Sequence, residues 1–371
     1  MSPWSAAALG DRVEDIETPA LLLDLDAFER NLKRMVDALS GSGMRLRAHA
    51  KSHKCPDIAL RQVAMGAVGI CCQKVSEAAV FVQAGVQDVL LTNQIASLAK
   101  AHRLAALARQ ARIGVLVDHA QQVLWLQQAA VAAGVSLDVY VEVNVGANRC
   151  GVEPGQAAVD LALVVDRHKP LRFAGLQCYQ GAAQHMRDPA QRQAAIAQAS
   201  EWARQTREAI EAMGVQCERI TGAGTGTFWH ERDSGVFNEI QAGSYIFLDR
   251  DYSDNLSGPG DCLFEHALFV QTTVMSQSQS HQAIVDAGLK ASSVDSGMPA
   301  VWQRPDLRFV KASDEHGVLS LADSAQLKLG DILWLVPGHC DPTVNLYDEL
   351  IGVRAGRVES IWPISARGAL L

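Results

Sequence analysis

The stretch Arg47-Ala48-His49-Ala50-Lys51-Ser52-His53-Lys54 ends an apolar run and places two lysines among two histidines. Alternate side chains of an extended segment share one face, so Arg47, His49 and Lys51 are expected to point into one interior. Such crowding of positive charge destabilises an ammonium group, which predicts a lowered pKa for Lys51 and an amine suited to Schiff-base chemistry. A basic patch that meets acidic neighbours is the competing interpretation.

The apolar run before Lys51 is the first of eight that alternate with amphipathic segments. Helical stretches at 75–85, 119–134 and 189–214 are examples of these segments. Such alternation over about 230 residues predicts a closed parallel (β/α)8 barrel of the TIM type, with an open doubly wound sheet as the alternative. The eight predicted strands are Arg45–Ala50, Ala67–Cys72, Asp88–Thr92, Ile113–Asp118, Leu137–Val145, Phe173–Tyr179, Arg219–Gly224 and Ile240–Tyr245.

From about residue 265 the long helical patterns give way to short extended segments. We expect the barrel over residues 18–255 and a mostly antiparallel β domain over residues 256–371, with Gly258-Pro259-Gly260 near the boundary. The N-terminal residues 1–17 are an optional addition to the second domain. The pattern predicts strands at 267–275, 282–289, 308–311, 332–336 and 350–364, with a hairpin turn at Arg354-Ala355-Gly356-Arg357.

Composition argues against several classes of protein. The chain of 371 residues is 48% hydrophobic and 20% charged, with a net charge of -8, so no basic surface is expected for nucleic acid or an anionic membrane. Residues 1–15 lack the pattern of a signal peptide, and no apolar stretch reaches membrane-spanning length, which predicts a cytoplasmic protein. Reduced thiols are expected, because the eight cysteines have no paired spacing; they occupy positions 55, 71, 72, 150, 178, 217, 262 and 340.

The carboxyl ends of the strands of such a barrel converge on one site. Lys51 follows the first predicted strand, and Thr221-Gly222-Ala223-Gly224-Thr225-Gly226-Thr227 follows the seventh. The glycines allow backbone N–H groups to approach an anion, and Gly243-Ser244-Tyr245 after the eighth strand extends this cradle. A lysine able to form an imine, together with a phosphate cradle, indicates pyridoxal 5'-phosphate.

Several of these motifs together resemble the D-threonine aldolase family, within the alanine-racemase-like class of pyridoxal-phosphate enzymes. The resemblance extends from about residue 18 to residue 368 and implies a homodimer of barrels, each with a C-terminal β domain. The stretches that carry it are Thr18-Pro19-Ala20, His49-Ala50-Lys51-Ser52-His53-Lys54, Cys71-Cys72-Gln73-Lys74-Val75-Ser76-Glu77, Gly222-Ala223-Gly224-Thr225-Gly226, Gln241-Ala242-Gly243-Ser244-Tyr245 and Pro337-Gly338-His339-Cys340-Asp341-Pro342.

The resemblance also implies roles for individual residues. It places the cofactor's Schiff base on Lys51, an aromatic contact with the cofactor ring at Tyr179, and a cofactor-contacting arginine at Arg149. Lys54 is expected to be a structural or electrostatic neighbour. The residues expected to bind the phosphate and its surroundings are Thr225, Gly226, Gly243, Ser244 and Tyr245.

His339 and Asp341 form a candidate metal pair in the second domain. On an extended segment they share one side while Cys340 points away, and the resemblance implies that such a pair holds a divalent ion beside the cofactor. Related D-serine dehydratases carry a His-x-Cys pair, which favours zinc. An aspartate ligand suits Mn²⁺, Mg²⁺ or Co²⁺ better, so aldol cleavage is favoured over dehydration.

The implied reaction is the retro-aldol cleavage of D-3-hydroxy amino acids, such as D-threonine or 3-hydroxy-D-aspartate, to glycine and an aldehyde or glyoxylate. The metal is expected to bind the β-hydroxyl, and His185 is expected to act as the base. Resemblance in 177–181, 294–297 and 337–342 favours 3-hydroxy-D-aspartate. The alternatives are a D-serine or 3-hydroxyaspartate dehydratase, a non-catalytic pyridoxal-phosphate-binding protein, and a racemase that uses Tyr347.

Overall fold

The computed structural model describes residues 5–258 and 263–371. Pro259 and Gly260 of the predicted boundary, and Cys262, lie outside the described residues. The strands are β1 (Ala20–Asp24), β2 (Arg45–His49), β3 (Gly69–Cys72), β4 (Asp88–Gln94), β5 (Arg112–Val117), β6 (Asp138–Glu142), β7 (Arg172–Cys178), β8 (Arg219–Gly222), β9 (Glu239–Ile240), β10 (Leu268–Gln279), β11 (Gln282–Val285), β12 (Ala300–Val301), β13 (Leu307–Ala312), β14 (Gly317–Leu321), β15 (Ile332–Val336), β16 (Glu349–Arg354) and β17 (Arg357–Pro363).

The helices lie mainly between the strands of the first half of the chain. Short 3-10 turns occur at Val13–Asp15, Ala50–Ser52, Ala182–His185 and Ser244–Ile246. No helix of the described residues is long and apolar enough to cross a membrane. The α-helices are α1 (Leu25–Leu39), α2 (Pro56–Ala64), α3 (Val75–Gln83), α4 (Leu98–Leu107), α5 (Ala120–Ala133), α6 (Gln156–Arg167), α7 (Pro189–Ala212), α8 (Phe228–Asp233), α9 (Arg250–Ser253) and α10 (Cys340–Val344).

Strands β2 to β9 form a closed parallel barrel in chain order. Each strand pairs with the next one, and β9 closes the barrel by pairing with β2 through Arg45 with Glu239 and Leu46 with Ile240. All eight barrel strands overlap the runs predicted from the sequence. The prediction of a barrel is therefore confirmed, and the alternative of an open doubly wound sheet was wrong.

The interior of the barrel is filled toward the amino ends of its strands. Arg47 is buried, with Nε donating to Glu239 Oε1 at 2.9 Å and Nη1 donating to Asp88 Oδ1 at 2.6 Å. A small apolar cluster packs inside the barrel as well, formed by Cys71, Leu90, Leu116, Tyr140 and Ala174. These side chains block one end of the barrel, so the open end is the carboxyl end of the strands, where TIM barrels place their sites.

The second sheet contains strands from both ends of the chain. Its order is β13-β14-β11-β10-β1-β16-β17, with β15 bonded to β10 and β12, and its pairing is mostly antiparallel. Strand β1 runs antiparallel to β10 and parallel to β16. Upstream of β1, Ala7 and Ile16 pack in one buried cluster with Val336 and Ile351. The first strand of the chain therefore joins the sheet of the C-terminal half rather than the barrel.

The predicted strands of the C-terminal half have counterparts in the structure, and the hairpin is confirmed. Ala355 and Gly356 have φ angles of 49° and 75° between β16 and β17, as a tight turn requires. Strands β12 and β14 were missed because one has only two residues and the other is a short segment that begins with glycine.

A short segment of the barrel chain holds the loop after β15 in place. Arg250 N donates to Pro337 O at 3.0 Å, and Asp251 N donates to Gly338 O at 3.2 Å. In the other direction, Cys340 N donates to Asp249 Oδ2 at 2.9 Å. These bonds fix the residues that follow β15 over the open end of the barrel.

Candidate active site

A cavity of about 80 Å³ lies at the carboxyl end of the barrel and opens to solvent. Its walls come from the ends of seven strands and the loops that follow them, as the barrel architecture predicts. The side chains and glycines that line it are His49, Lys51, Ser52, Gln73, Thr92, Glu142, Arg149, Gln177, Tyr179, Ala223, Gly224, Thr225, Gln241, Gly243, Ser244 and Tyr252.

Lys51 lies in the 3-10 turn Ala50–Ser52, immediately after β2, and its amine enters the cavity. Nζ donates to Asp341 Oδ2 at 2.8 Å, so the barrel and the C-terminal half meet at this ion pair. The negative charge of Asp341 raises the pKa of Lys51, while burial opposes the rise. The prediction of a lowered pKa was wrong. It considered only the basic residues near Lys51 in the sequence, whereas Arg47 is neutralised by ion pairs with Asp88 and Glu239 toward the amino ends of the strands.

Asp341 is partly buried, with 12% of its side chain exposed, beside Lys51, Ser244 and His339. Although burial opposes it, the positive charges of Lys51 and His339 lower the pKa of Asp341 and keep it a carboxylate. Ser244 Oγ donates to Asp341 Oδ1 at 3.2 Å. The predicted extended conformation through Asp341 was wrong: His339 is extended, with φ -143° and ψ 124°, but α10 begins at Cys340.

His339 lies at the mouth of the same site. Its Nδ1 is 2.9 Å from Asp295 Oδ2, which leaves Nε2 available for another partner. Cys340 between the two polar residues is fully buried and faces away, and burial raises the pKa of its thiol. Within residues 5–258 and 263–371, no group of three or more His, Cys, Asp or Glu is arranged to hold a metal ion. The imidazole and carboxylate of His339 and Asp341 provide two donors of the kind that Mn²⁺ or Mg²⁺ accepts, with the remaining positions left to water or substrate.

His49 shares the cavity with Lys51 in its neutral form. Burial and the positive charge of Lys51 lower the pKa of His49 well below its usual value. Its Nε2 lies 3.0 Å from Thr92 Oγ1 and 3.1 Å from Gln73 Nε2. His49 therefore adds a polar wall to the cavity without adding positive charge.

The glycines of the cavity permit a close approach of backbone to a ligand. A Cβ at Gly243 would lie 2.6 Å from both His49 O and Ser52 Oγ, so no larger residue fits there without displacement. Thr225 Oγ1 is buried and has no hydrogen-bond partner among the described residues, an arrangement that a bound acceptor would satisfy. A lysine amine and an unpartnered hydroxyl beside glycines fit the aldehyde and the phosphate of pyridoxal phosphate.

Arg149 and Tyr179 meet in the same cavity. The guanidinium carbon of Arg149 lies 5.9 Å from the centroid of the Tyr179 ring, within the range of a cation–π contact. Glu142, buried at the end of β6, accepts a hydrogen bond from Gln94. Burial raises the pKa of Glu142, although Gln94 and Arg149 oppose the rise.

Two of the residues predicted for the phosphate cradle have other partners. Tyr245 is buried in the core, accepts a hydrogen bond from Gln62 Nε2 at 3.1 Å and does not line the cavity. The N–H of Gly226 donates to Gln184 Oε1 at 3.0 Å, and Gly226 lines a neighbouring cavity instead. Tyr245 was predicted in the cradle because it follows Ser244 in the sequence. The 3-10 turn Ser244–Ile246 instead directs its side chain into the core.

His185 lies at the rim, not in the cavity wall. It ends the 3-10 turn Ala182–His185, its side chain is 55% exposed, and its Nδ1 lies 2.5 Å from Asp251 Oδ2. The hydrogen bond that His185 donates to Asp251 raises the pKa of His185, while burial opposes the rise. Tyr252 connects it to the cavity, since Tyr252 lines the cavity and stacks on His185 with 6.3 Å between ring centroids.

The motif search missed several residues of the site. Tyr252 and Asp251 belong to the short helix α9, for which the sequence shows no periodicity. Gln177 and Gln241 exchange amide hydrogen bonds of 2.9 Å and 2.7 Å across the cavity. Both glutamines belong to stretches that carry the family resemblance. Their positions at the carboxyl ends of β7 and β9 could have predicted that they line the site.

Two domain families match successive parts of the chain. Residues 23–251 match the N-terminal domain of alanine racemase, and residues 267–353 match the putative serine dehydratase domain. The D-threo-3-hydroxyaspartate dehydratase of Delftia sp. (strain HT23) is 28% identical over 357 residues, with 90% of this chain and 93% of that protein covered.

Aldolases are more similar to the chain than this dehydratase. The 3-hydroxy-D-aspartate aldolase of Paracoccus denitrificans (strain Pd 1222) is 46% identical over 360 residues, with 95% of this chain and 93% of that protein covered. The D-threonine aldolase of an Arthrobacter species is also 46% identical over 360 residues, with coverages of 97% and 95%. The crystal structure of D-threonine aldolase from Filomicrobium marinum superimposes with a TM-score of 0.97 at 52% identity, covering 99% of this chain and 100% of that one.

Proposed function

The chain belongs to the family of D-threonine and 3-hydroxy-D-aspartate aldolases, which combine an alanine-racemase-like barrel with a serine-dehydratase-like domain, and from this premise we propose that it is a carbon–carbon lyase. Its substrates are D-3-hydroxy amino acids, which it cleaves to glycine and an aldehyde or glyoxylate. Pyridoxal phosphate is its cofactor, and a divalent metal ion is a second requirement.

The observation that carries this proposal is the 2.8 Å contact between Lys51 Nζ and Asp341 Oδ2. It brings the amine that would hold the cofactor beside the acidic member of the pair that would hold the metal, so both groups border the same space. A cofactor lysine and a metal pair that share one substrate are what a retro-aldol reaction at a β-hydroxyl requires.

The cavity residues divide the binding of the cofactor among them. Lys51 would hold the aldehyde covalently, Arg149 and Tyr179 would contact the ring, and Thr225 would donate to the phosphate at the glycines. Ser244 could join Thr225 only by giving up its hydrogen bond to Asp341. When bound, pyridoxal phosphate supplies a sink for the electron pair that is released at the substrate Cα. Tyr245 is left out of this set, because its hydroxyl is engaged in the core.

Two donors, His339 and Asp341, would hold the divalent ion, whose chemistry at this position is Lewis acidity toward the substrate hydroxyl. Mn²⁺, Mg²⁺ and Co²⁺ suit the oxygen and nitrogen donors. The low pKa of Asp341 keeps its carboxylate ionised at neutral pH. The buried Cys340 offers no sulfur ligand to the same position, which distinguishes this site from a zinc site with a cysteine ligand.

Proton transfers are assigned to two side chains. His185 Nε2 takes the β-hydroxyl proton, directly or through a water molecule, while the Cα–Cβ bond breaks and the β-carbon leaves as a carbonyl. The electron pair of that bond stays with Cα. Lys51 Nζ then returns a proton to Cα, which yields glycine. The raised pKa of Lys51 suits an amine that acts as a proton donor.

Assays of the products test the proposal. Purified protein loaded with pyridoxal phosphate is incubated with D-3-hydroxyaspartate or D-threonine, with Mn²⁺ or with EDTA, and glycine, glyoxylate, acetaldehyde and 2-oxo acids are measured. Glycine that forms only with metal supports the aldolase, and the ratio of rates ranks the substrates. A 2-oxo acid with ammonia and no glycine would instead identify a dehydratase, and intact cofactor absorbance without any product would identify a non-catalytic binding protein.

Racemisation is disfavoured by the position of Tyr347. Its hydroxyl donates to Ala291 O at 2.7 Å within the same chain, and burial raises its pKa, so it is a structural group. Loss of optical activity without glycine formation would reverse this conclusion. Dimerisation rests on the family resemblance, and sedimentation of the holoenzyme tests it.

A further inference from the structure

The carboxylate of Asp251 holds His185 in a defined orientation. Asp251 belongs to the first turn of α9, and only 7% of its side chain is exposed. Its Oδ2 accepts a hydrogen bond from His185 Nδ1 at 2.5 Å, and its Oδ1 accepts one from Arg187. Both oxygens of this buried carboxylate are therefore engaged with the turn that carries His185.

We propose that Asp251 is a positioning residue that fixes the tautomer and the orientation of His185, so that Nδ1 carries hydrogen and Nε2 is the proton acceptor. This inference rests on the proposed function, because it gives His185 its role as the base. A carboxylate bound to one ring nitrogen determines which nitrogen keeps the proton. In catalytic Ser-His-Asp triads a buried carboxylate orients the imidazole in the same way.

Two further contacts restrict the imidazole to one position. The ring of Tyr252 stacks on His185 at an interplanar angle of 27°, and Tyr252 is also part of the cavity wall. Among the described residues, no hydrogen bond to His185 Nε2 occurs. The nitrogen opposite Asp251 therefore remains available to substrate or water at the rim.

The backbone of the same segment connects the histidine to the metal pair. Asp251 N donates to Gly338 O at 3.2 Å, one residue before His339, and Asp249 Oδ2 accepts from Cys340 N at 2.9 Å. Because α9 is a single turn, a displacement of His185 relative to Asp341 would require these bonds to break. These bonds therefore fix the position of His185 relative to His339 and Asp341.

The charged groups that face His185 are Asp251, Arg187 and Asp249. Asp251 and Asp249 favour the imidazolium, and Arg187 opposes it. Arg187 also binds Asn255 Oδ1 at 2.7 Å, so this arginine has a structural partner apart from Asp251. Asp251 could have a purely structural role, in which it only links the turn of His185 to α9. The experiment must distinguish this role from positioning of the imidazole.

The test compares Asp251→Asn with His185→Gln, the double variant and the control Asp188→Asn in holoenzyme with pyridoxal phosphate and Mn²⁺. Asp188 caps α7 three residues beyond His185 and accepts from Gln191 N at 2.9 Å. Asp251→Asn removes the charge and keeps the shape, so kcat/KM for D-threonine should fall by about 10- to 100-fold. Asp188→Asn should leave kcat/KM within about twofold of the native protein, because its effect is confined to a cap.

The pH profile supplies a readout that a structural role would not change. A base must be neutral to act, so kcat/KM is lost as pH falls through its pKa. Asp251 raises the pKa of His185, and the acidic limb should therefore move to lower pH in Asp251→Asn. In the His185→Gln background the Asp251→Asn change should cost no further activity, because the two residues act as a unit.

Nitrogen-15 NMR of the histidines tests the inference without turnover. The His185 signal, assigned by its loss in His185→Gln, should show hydrogen on Nδ1 at alkaline pH, and Asp251→Asn should change that tautomer. Hydrogen on Nε2 in the native protein, or an additive loss of activity with an unmoved acidic limb, would overturn the inference. A native enzyme that forms no glycine would refute the proposed function instead, while the NMR result would still decide the role of Asp251.

Discussion

Lys51 Nζ and Asp341 Oδ2 lie 2.8 Å apart, although 290 residues separate them in the chain. The pair joins the first strand of the barrel to the helix that follows the fifteenth strand, and each charge shifts the pKa of the other toward the ionised form. The pair is partly exposed, with 42% of the Lys51 side chain and 12% of the Asp341 side chain accessible, so water screens part of its attraction. It positions the amine and connects the barrel to the loop after β15.

Substitution of Lys51 by alanine should abolish covalent attachment of the cofactor. Reduction of the holoenzyme with borohydride, followed by peptide mass spectrometry, should place the pyridoxyl group on Lys51 in the native protein and on no residue of Lys51→Ala. Lys54 is the matched control, because its Nζ bonds Glu77 Oε1 at 2.8 Å. Lys54→Ala should keep the attachment but lose about 3 kcal/mol of unfolding free energy, since it removes the cationic partner of the buried Glu77. A pyridoxyl group found on Lys54 would reverse the assignment.

Removal of the Asp341 carboxylate should weaken metal binding. Titration of Mn²⁺ followed by electron paramagnetic resonance should show at least a tenfold loss of affinity in Asp341→Ala, or about 1.4 kcal/mol. Cys340→Ala serves as the control, because this thiol is buried and faces away from the pair. Equal affinities in the two variants would contradict the assigned ligand.

The hydrogen bond that His339 Nδ1 donates to Asp295 should support the metal indirectly. A carboxylate on one nitrogen of a metal-bound histidine orients the other nitrogen, and its loss commonly costs 10- to 100-fold in affinity, so about tenfold is expected for the half-exposed Asp295. Mn²⁺ titration of Asp295→Ala provides the measurement. Ser293→Ala removes only a neighbour of Asp295 and should have a smaller effect.

Thr225→Val should weaken the binding of pyridoxal phosphate and leave the stability of the cofactor-free protein nearly unchanged. Thr225 Oγ1 is buried without a partner in the described structure, so its removal costs no protein hydrogen bond. Loss of one donor to a phosphate should raise the dissociation constant by about tenfold, which fluorescence titration measures. Destabilisation of the cofactor-free variant with unchanged cofactor affinity would show that the hydroxyl serves the fold.

Glu231 should make the stability of the protein depend on pH. Burial raises the pKa of Glu231 from 4.5 to about 7, and its Oε2 has no hydrogen-bond partner among the described residues. The folded state thus holds the proton more tightly, so stability is lost as pH rises from about 4.5 and the loss is complete above about 7. At about 1.4 kcal/mol per pKa unit, the full loss of unfolding free energy is about 3.5 kcal/mol.

Glu231→Gln cannot ionise and should escape this loss. Its unfolding free energy relative to the native protein should therefore rise by about 2 to 3 kcal/mol between pH 5 and pH 8, as urea denaturation at both values would show. A constant difference between the two proteins would mean that Glu231 is ionised in the fold at both values.

The barrel and the position of its site follow from local pattern in the sequence. Seven barrel strands have four to seven residues, and β9 has two. In the sequence these strands fall in apolar runs that alternate with segments of helical, 3.6-residue periodicity. Residues after such runs share the carboxyl end of a parallel barrel, so the strand pattern alone predicts Lys51, Thr225 and Gly243 around one cavity, where the structure has them.

Long-range pairing decided the features that local pattern missed. Strand β1 precedes the barrel in the chain, yet it lies between β10 and β16 in the second sheet. Strand pairing depends on register and packing rather than on nearness in the chain. The same holds for α9, whose single turn places Asp251 on His185 and Tyr252 in the cavity wall.

The charge states of the site also belong to the tertiary structure. The residues around Lys51 in the sequence are basic and indicated a lowered pKa, whereas Asp341 in space raises it. Local sequence was enough to predict the barrel, the lysine and the glycines, since each depends on neighbours within a few residues. Long-range folding established which carboxylate meets which amine or imidazole, because electrostatic energy depends on distance in space and on burial, and neither is encoded in local spacing.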